Sequence, residues 1–513
     1  MVADNTPVII GVGQYAERPQ DEGYEALSYM DLAGRALNVA IEDAGAAGDI
    51  ASSIDTICAI RQFEISYPNA IAPFGKSDNP PRSIGKRVGA DPRRAILEVT
   101  GGQGNQKMVG ELASDIALGE SEMAVIVGSE AISTVRRLLE SGQSPDWSEE
   151  VGGQLEDRGY GLERYEEEGT IAHFGGRPIE GYAVYENERR ARLGLSLEEY
   201  RLAMGELFAP FTKVAANNPL VSAQVERTPQ ELAEVTERNR IVAEPYTRMV
   251  VSRDQVNQAA ALIIASAGKA RELGVPVERW VHIHSVASAE ELPTMQRPVL
   301  SRSEAANRSL DIALGRAGKF TDDITYFDFY SCFPVPVFNA IEHLLIEPDD
   351  PRGLTLTGGL PFFGGAGNNY SAHAIAEAVK RVRGDRGSFA LVGANGGVMG
   401  KYATGIYSTL PADWSANDRY MKVPNSRNAV PYSAEPFDTC TVETYTISMT
   451  KRGPRIMVVG RNEFGERVVA NGDYEDELTR EVFEGGEPFG DTLRVTRNEK
   501  GLNIGRIVPQ PGL

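Results

Sequence analysis

Cysteine is scarce in this chain: three in 513 residues, at Cys58, Cys332 and Cys440. An odd, sparse set excludes a disulfide framework and suits a reducing compartment. None is spaced with a histidine in a zinc-ligand pattern, so no metal site is expected. No apolar run reaches the roughly 20 residues needed to cross a bilayer. The opening residues, MVADNTPVIIGVG, offer neither the basic flank nor the apolar core of a signal peptide. A cytoplasmic location is the expectation. Basic residues are outnumbered, 52 Lys and Arg against 72 Asp and Glu, for a net charge of −20. That balance disfavours nucleic acid and anionic membrane as partners. It leaves room for an anionic ligand held by a helix N-terminus or a local basic patch.

What is present is ample apolar content (42%) and 53 glycines, clustered in short runs rather than repeats. The length predicts two or three domains. Pro7–Gly13, Ile54–Arg61 and Met123–Gly128 read as buried strands, because apolar runs without alternation are buried on both faces. Ser28–Ala44, ending at Gly45, and Lys107–Leu118 read as helices. The same order returns later. ALNVAIEDAGAAGDIASSIDTICAI is echoed by SLDIALGRAGKFTDDITYFDFY, each running helix, Ala-Gly, short acidic loop, Ile-led strand. Lys107–Gly128 is echoed by the helix pattern His373–Arg383 and the strand Phe389–Gly393. Helices alternating with apolar strands predict α/β layers, and the echo predicts two similar α/β halves. The assigned spans are 1–275 for the first half, 276–410 for the second, and 411–513 for a linker and a further domain. A charged, Gly- and aromatic-rich insertion at about 133–246 reads as a cover over a site.

The tail changes character. Cys440–Thr450 alternates at period two. Arg455–Arg461, Glu466–Ala470, a helix at Tyr474–Phe483, and the strands Asp491–Arg497 and Leu502–Val508 follow. Three strands, a helix and two strands is the order of an OB-type barrel. Residues 440–513 hold ten basic and twelve acidic residues, so the electrostatic footprint of an oligonucleotide binder is missing. A packing role, or a protein partner, is expected of this domain. Trp414–Asp438 reads as the linker.

Gly101–Gly104 (GGQG), Gly358–Gly359, Gly364–Gly367 (GGAG) and Gly396–Gly400 (GGVMG) are candidate site loops. GGQG follows the strand Ile96–Val99 and precedes a helix, where backbone N–H groups can hold an anion or an oxyanion. The spacing does not make a dinucleotide fingerprint.

The order of segments over residues 5–410 resembles the thiolase superfamily, most of all the sterol-carrier-protein-type thiolases. Lys107–Gly128 resembles the segment after that family's nucleophile, and Arg248–Ser266 its strand before the second half. Phe329–Phe333 (FYSCF) resembles its His-Asp-Cys-Phe or Asn-Glu-Ala-Phe loop, Thr357–Ala376 its Gly-His-Pro segment, and Asn395–Tyr407 its closing Gly-rich strand. The barrel-like tail is similar to the thiolase-like proteins with an added C-terminal domain. The resemblance implies a duplicated five-layer thiolase-type fold with an OB-like β-barrel. It implies coenzyme A or acyl-CoA as substrate, no tightly bound cofactor, and acyltransferase-class chemistry.

That chemistry needs a thiolate nucleophile, a His that activates it, a second acid/base and oxyanion holes. Carried over by position, the nucleophile falls at or beside Gly101, with Thr100 and Gln103 adjacent. The loop His or Asn corresponds to Tyr330, the Gly-His-Pro histidine to Gly365, and the second cysteine to Ala394 or Asn395. A standard acetyltransferase mechanism is therefore not expected. The expected catalytic candidates are Tyr330, Cys332, Tyr370, His373 and Asn395. The expected ligand-binding candidates are Gly101, Gln103, Gly364, Gly365, Gly396 and Gly397. Arg189, Arg190, Arg192 and Lys213 are candidates for the CoA phosphates. Two other readings stay open: a non-catalytic acyl-CoA or lipid binder, and a tyrosine-dependent carbon–carbon lyase, since thiolase-fold aldolases use Tyr as acid/base and pair with an OB-type partner.

Overall fold

A computed structural model of the chain describes residues 2–162, 168–221 and 224–509; the stretch 163–167 of the insertion lies outside them. Strand β1 (Pro7–Ala16) is buried along its first eight residues. Helix α1 (Tyr29–Ala44) is fixed at both ends: Ser28 accepts from the Asp31 N–H, and Gly45 turns left-handed at φ 61°. β2 (Thr56–Ala59), β3 (Arg94–Leu97), α2 (Gly104–Leu118), β4 (Met123–Ala131) and the short β5 (Glu156–Asp157) follow. The insertion supplies helices α3 (Pro178–Leu193) and α4 (Leu197–Ala216) and a hairpin, β6 (Ile241–Ala243) and β7 (Tyr246–Thr247), before β8 (Asn257–Ser266). The second half holds β9 (Val281–Glu290), α5 (Glu304–Ala317), β10 (Tyr326–Phe329), α6 (Pro334–Leu344), α7 (Tyr370–Gly384), β11 (Phe389–Gly396) and β12 (Lys401–Ser408).

The two halves pair their strands in the same way. β2 runs parallel to β4, β4 antiparallel to β8, and β8 antiparallel to β1. β10 runs parallel to β11, β11 antiparallel to β12, and β12 antiparallel to β9. β1 and β9 join the halves through the reciprocal pairs Val8–His282 and Ile9–Val281. α1 covers the outer face of the first half and α5 that of the second, while α2 and α7 pack between the halves. The layers are therefore helix, sheet, helices, sheet, helix, the five-layer arrangement of a thiolase-type fold.

The two central helices meet through reciprocal bonds. Asn105 Nδ2 donates to Asn368 O (3.2 Å), and Ser371 Oγ donates to Gly102 O (2.5 Å). Residue 102 is thus the counterpart of 368, and 105 of 371; by the same step Lys107 is the counterpart of His373 and Glu111 of Glu377. In the strands, Ala16 pairs with Gln258 and Ala289 with Tyr402, which equates Ala16 with Ala289 and Gln258 with Tyr402.

Beyond β12, the segment expected to be a linker supplies a strand instead. β13 (Tyr420–Val423) pairs in parallel with β9, and Trp414 is buried with its indole N–H on Ile283 O (2.9 Å). Its polar, proline-rich composition hid this, because the strand is four residues long. β14 (Thr439–Thr450), β15 (Gly453–Asn462), β16 (Arg467–Gly472), α8 (Glu477–Glu484), β17 (Thr492–Arg497) and β18 (Asn503–Ile507) form a closed barrel in the order β14-β15-β16-β18-β17. β16 and β18 run parallel, as in an OB-like barrel. The insertion holds the barrel in place. β6 pairs with β14, the buried Arg190 donates to Glu487 and to Gly486 O, and His173 Nε2 accepts from the Asn503 N–H (2.8 Å). Among the described residues no helix is long and apolar enough to cross a membrane.

Candidate functional site

Strand β3 ends at Leu97 and α2 begins at Gly104, so the loop between them points at the junction of the two halves. Gly101 takes φ 134°, a conformation that favours glycine, and its N–H donates to Asn368 Oδ1 (3.0 Å). Asn368 Nδ2 in turn donates to Arg61 O (2.6 Å) and Ser66 Oγ (3.0 Å). The loop is held rigidly, and the space in front of it is full. A Cβ built on Gly102 would fall 2.2 Å from the Tyr330 hydroxyl oxygen and 2.6 Å from Asn395 O. One on Gly101 would fall 2.2 Å from Gln103 Oε1, and one on Gly396 would fall 2.1 Å from the same atom. A side chain at Gly102 would meet the Asn395 backbone as well as Tyr330, whereas one at Gly101 would meet only the end of the Gln103 side chain. Thr100 is no substitute, since its hydroxyl donates to Ser66 O (3.0 Å).

The expected catalytic residues gather here, but as packing. Tyr330 is buried, its ring edge-on to Tyr370 at 5.4 Å, and burial pushes its phenol well above the usual range. Cys332 is buried and pushed up to about 12, so it is a thiol, with Asn395 Nδ2 3.7 Å from its sulfur. Asn395 Nδ2 also donates to the Tyr182 hydroxyl (2.8 Å), a residue of the insertion. Tyr370 is fully buried and bonded to Thr357 Oγ1 (2.5 Å), which itself faces the buried carboxylate of Asp328. His373 corrects the sequence-based placement. It lies in the first turn of α7, fully buried, with Nδ1 on Gln14 Oε1 (2.7 Å), and desolvation lowers it to about 3. It is a neutral core histidine.

The second Gly-rich loop is filled in the same manner. Cβ atoms on Gly364, Gly365 and Gly367 would fall 2.6 Å from Val256 Cγ1, 2.2 Å from Ser252 Oγ and 2.0 Å from Glu130 Oε1. Gly397 takes φ 57° and leads a left-handed run with Val398 and Met399, at φ 52° and 55°.

Open space lies on the other flank of α2. A cavity of about 340 Å³ is lined by Val99, Gln103, Lys107, Arg158, Gly161, Ser288, Ala289, Glu290, Lys401, Tyr402 and Lys422. Of the predicted site residues only Gln103 lines it. Glu98, fully buried behind the wall, accepts from Lys107 Nζ (2.6 Å) and Arg158 Nη1 (3.0 Å). Arg158 also pairs with Glu111 and Glu156. Lys401 Nζ donates to Thr100 O (2.9 Å) and Gly161 O (2.6 Å), tying β12 to the loop that holds Gly101. Sequence reasoning missed these cations because they come from four distant segments. The only local signal was Lys401 directly after GGVMG.

The arginines expected to meet CoA phosphates are committed elsewhere. Arg189 bonds Glu342 and lies over the Phe338 ring at 3.7 Å, Arg192 pairs with Glu342, and Arg190 is the barrel anchor described above. Lys213 is exposed on α4. Among the described residues no three His, Cys, Asp or Glu side chains are grouped to hold a metal ion.

Two α/β halves around paired central helices, with an OB-like barrel, define a thiolase-fold protein. A family profile described as "thiolase-like protein type 1 additional C-terminal domain" matches residues 423–500. Among solved structures, a monomeric SCP2-thiolase-like protein type 1 from Mycobacterium smegmatis is 40% identical, with a TM-score of 0.82, over 99% of this chain and 100% of that one. The chain belongs to the SCP2-thiolase-like protein type 1 family. An Ltp2-ChsH2(DUF35) aldolase (20% identity, TM-score 0.55, 79% of this chain and 98% of that one) shares the fold. So does an acetyl-CoA acetyltransferase from Syntrophomonas wolfei (16%, 0.56, 80% and 100%). A search of curated proteins gives no match.

Proposed function

We propose that this protein binds acyl-CoA in the cavity beside α2 and forms no acyl-enzyme. One observation carries the second clause: the residues at and beside the expected nucleophile position, Gly101 and Gly102, bear no side chain, and the Tyr330 phenol fills the space in front of Gly102. The thiol left in the loop, Cys332, is protonated and enclosed, and a thiol is a weak nucleophile until ionised. The thiolase-type fold and the cavity with Gln103 at its edge support the ligand class. Intact-mass spectrometry after incubation with acetyl-CoA and longer acyl-CoAs is expected to show no acyl adduct, while calorimetry shows binding. A covalent adduct, or no heat of binding at millimolar acyl-CoA, overturns the reading.

A second reading, a tyrosine-dependent carbon–carbon lyase, is supported by the Tyr330 phenol standing at the nucleophile's place. Burial keeps that phenol protonated, which suits a proton donor. Incubation with β-hydroxyacyl-CoA tests it. Aldehyde release that disappears in Tyr330→Phe supports the lyase; absence of any release removes it.

A further inference from the structure

The insertion reaches into the site with one side chain. Tyr182, near the start of α3, is 4% exposed and stacks on Phe333 at 4.3 Å with 22° between the rings. Tyr185 stands edge-on to it at 6.3 Å, and Tyr246 flanks Phe333 at 5.1 Å. The Tyr182 hydroxyl oxygen accepts from Asn395 Nδ2 (2.8 Å) and from the Met399 N–H (3.2 Å), and the hydroxyl is also hydrogen-bonded to Cys332. Two converging N–H donors at the end of an aromatic slot suit a ligand's carbonyl or phenol oxygen; here the chain itself supplies that oxygen. The donor loop is strained. Val398 and Met399 follow Gly397 in the left-handed region, at φ 52° and 55°, and a β-branched residue there is an outlier that only its surroundings can maintain. Those surroundings are Tyr182 on the Met399 N–H, Arg297 Nη1 on Val398 O (3.1 Å), and Gly181, where a Cβ would fall 2.7 Å from Val398 Cγ1.

We infer that the slot between Phe333 and Asn395 is a binding site for a flat ring bearing an oxygen acceptor, and that Tyr182 occupies it as an internal ligand and keeps it shut. The slot is separate from the cavity beside α2, which none of Tyr182, Phe333, Asn395 and Cys332 lines, so it does not depend on the acyl-CoA reading. When Tyr182 leaves, the Met399 N–H loses its acceptor and the turn relaxes. The strain released offsets part of the cost of breaking the ring stack. Opening is therefore local. It uncovers Cys332, which is 8% exposed in the closed form, and leaves Cys58 and Cys440 enclosed, since one lies in β2 and the other in β14.

The test is thiol labelling of the full chain with iodoacetamide, followed at each cysteine by peptide mass spectrometry. In the wild-type chain Cys332 is expected to react faster than Cys58 and Cys440, at a rate that stays flat up to about 1 M urea, as local opening requires. In Tyr182→Ala the Cys332 rate is expected to rise about tenfold or more, and p-cresol to bring it back toward the wild-type value. Toluene, which has the ring without the oxygen, is expected to bind that variant about fivefold more weakly than p-cresol. Tyr182→Phe, which keeps the ring, is expected to give an intermediate rate and faster exchange of the Met399 amide. Wild-type labelling of Cys332 that matches Cys58 in rate and urea dependence shows no local opening and overturns the plug. Failure of p-cresol to slow Cys332 labelling in Tyr182→Ala, or equal protection by toluene, overturns the ring-and-oxygen site. The wild-type urea series and Tyr182→Phe carry the test alone if Tyr182→Ala does not fold: a Phe variant with unchanged labelling and unchanged Met399 exchange overturns the role given to the hydroxyl.

Discussion

The cavity beside α2 has a counterpart on the other half of the molecule, and the two have diverged. The counterpart lies where β1 ends and β8 begins, and it encloses about 50 Å³ against about 340 Å³. Ala16, Glu17, Asn257 and Gln258 line the small one where Ala289, Glu290, Lys401 and Tyr402 line the large one. On the central helices the difference is sharper. Lys107 holds its charge at the cavity wall through Glu98. Its counterpart His373 is neutral and closed in by Gln14, whose Nε2 donates to Glu377 Oε1 (2.5 Å). One half spends its polar groups on filling space; the other spends them on framing it. The larger cavity is the one whose wall holds a buried carboxylate, Glu98, paired with two cations.

Exchanging the groups that distinguish the two sites should break this contrast. The largest effect is expected from His373→Lys. It places an ammonium in a closed, desolvated site and should cost about 4 kcal/mol in urea unfolding. Glu98→Gln, which leaves Lys107 and Arg158 without their shared buried carboxylate, should cost about 3 kcal/mol. The comparable change on the closed side, Glu377→Gln, should cost under about 1 kcal/mol, because Glu377 and its charged partner Lys380 are partly solvated. Gly102→Ala should cost about 2 kcal/mol by overpacking against Tyr330, and the same change should cost less when made in a Tyr330→Ala background.

A further small effect concerns pH. His373 is lowered from its ordinary 6.5 to about 3 by burial. The unfolded chain therefore binds a proton that the folded chain refuses between those values. The stability that neutral His373 contributes is complete above pH 6.5 and is lost as pH falls below it. Glu186, raised to about 7, and Asp328, raised to about 6, shift the opposite way, so the difference between wild type and His373→Gln is the clean quantity. Going from pH 7 to pH 5.5, wild type should lose about 1 kcal/mol relative to the variant. Parallel stability curves would show that His373 takes up its proton without unfolding the core.

The fold was legible because it is written twice. The helix–Ala-Gly–strand echo and the unalternating strands reflect burial on both faces, a constraint every layer of the body obeys. The barrel was legible from its period-two strands and the position of α8. That Gly101 and Gly102 carry no side chain was visible in the sequence itself. What lies in front of Gly102 was not, because Tyr330 and Asn395 arrive from the opposite half. The cavity was illegible for a related reason. Lys107, Arg158, Lys401 and Lys422 each read as an ordinary solvated charge, and only the closed fold converges them. His373 was named because it is the histidine that remains in the Thr357–Ala376 segment; its enclosure was not legible, because its partner Gln14 comes from β1, far away in the sequence. Arg189 and Arg190 looked like ligand anchors because buried arginines and exposed ones share a sequence signature; here they anchor the insertion to the second half and to the barrel.

A crystal structure of the wild-type chain with butyryl-CoA tests the central claim most directly. The account predicts the acyl group in the cavity between Gln103 and Tyr402, with no covalent bond to the protein. An acyl group lodged instead against Gln258 and Arg253 on the counterpart side, or bonded to Cys332, would contradict it.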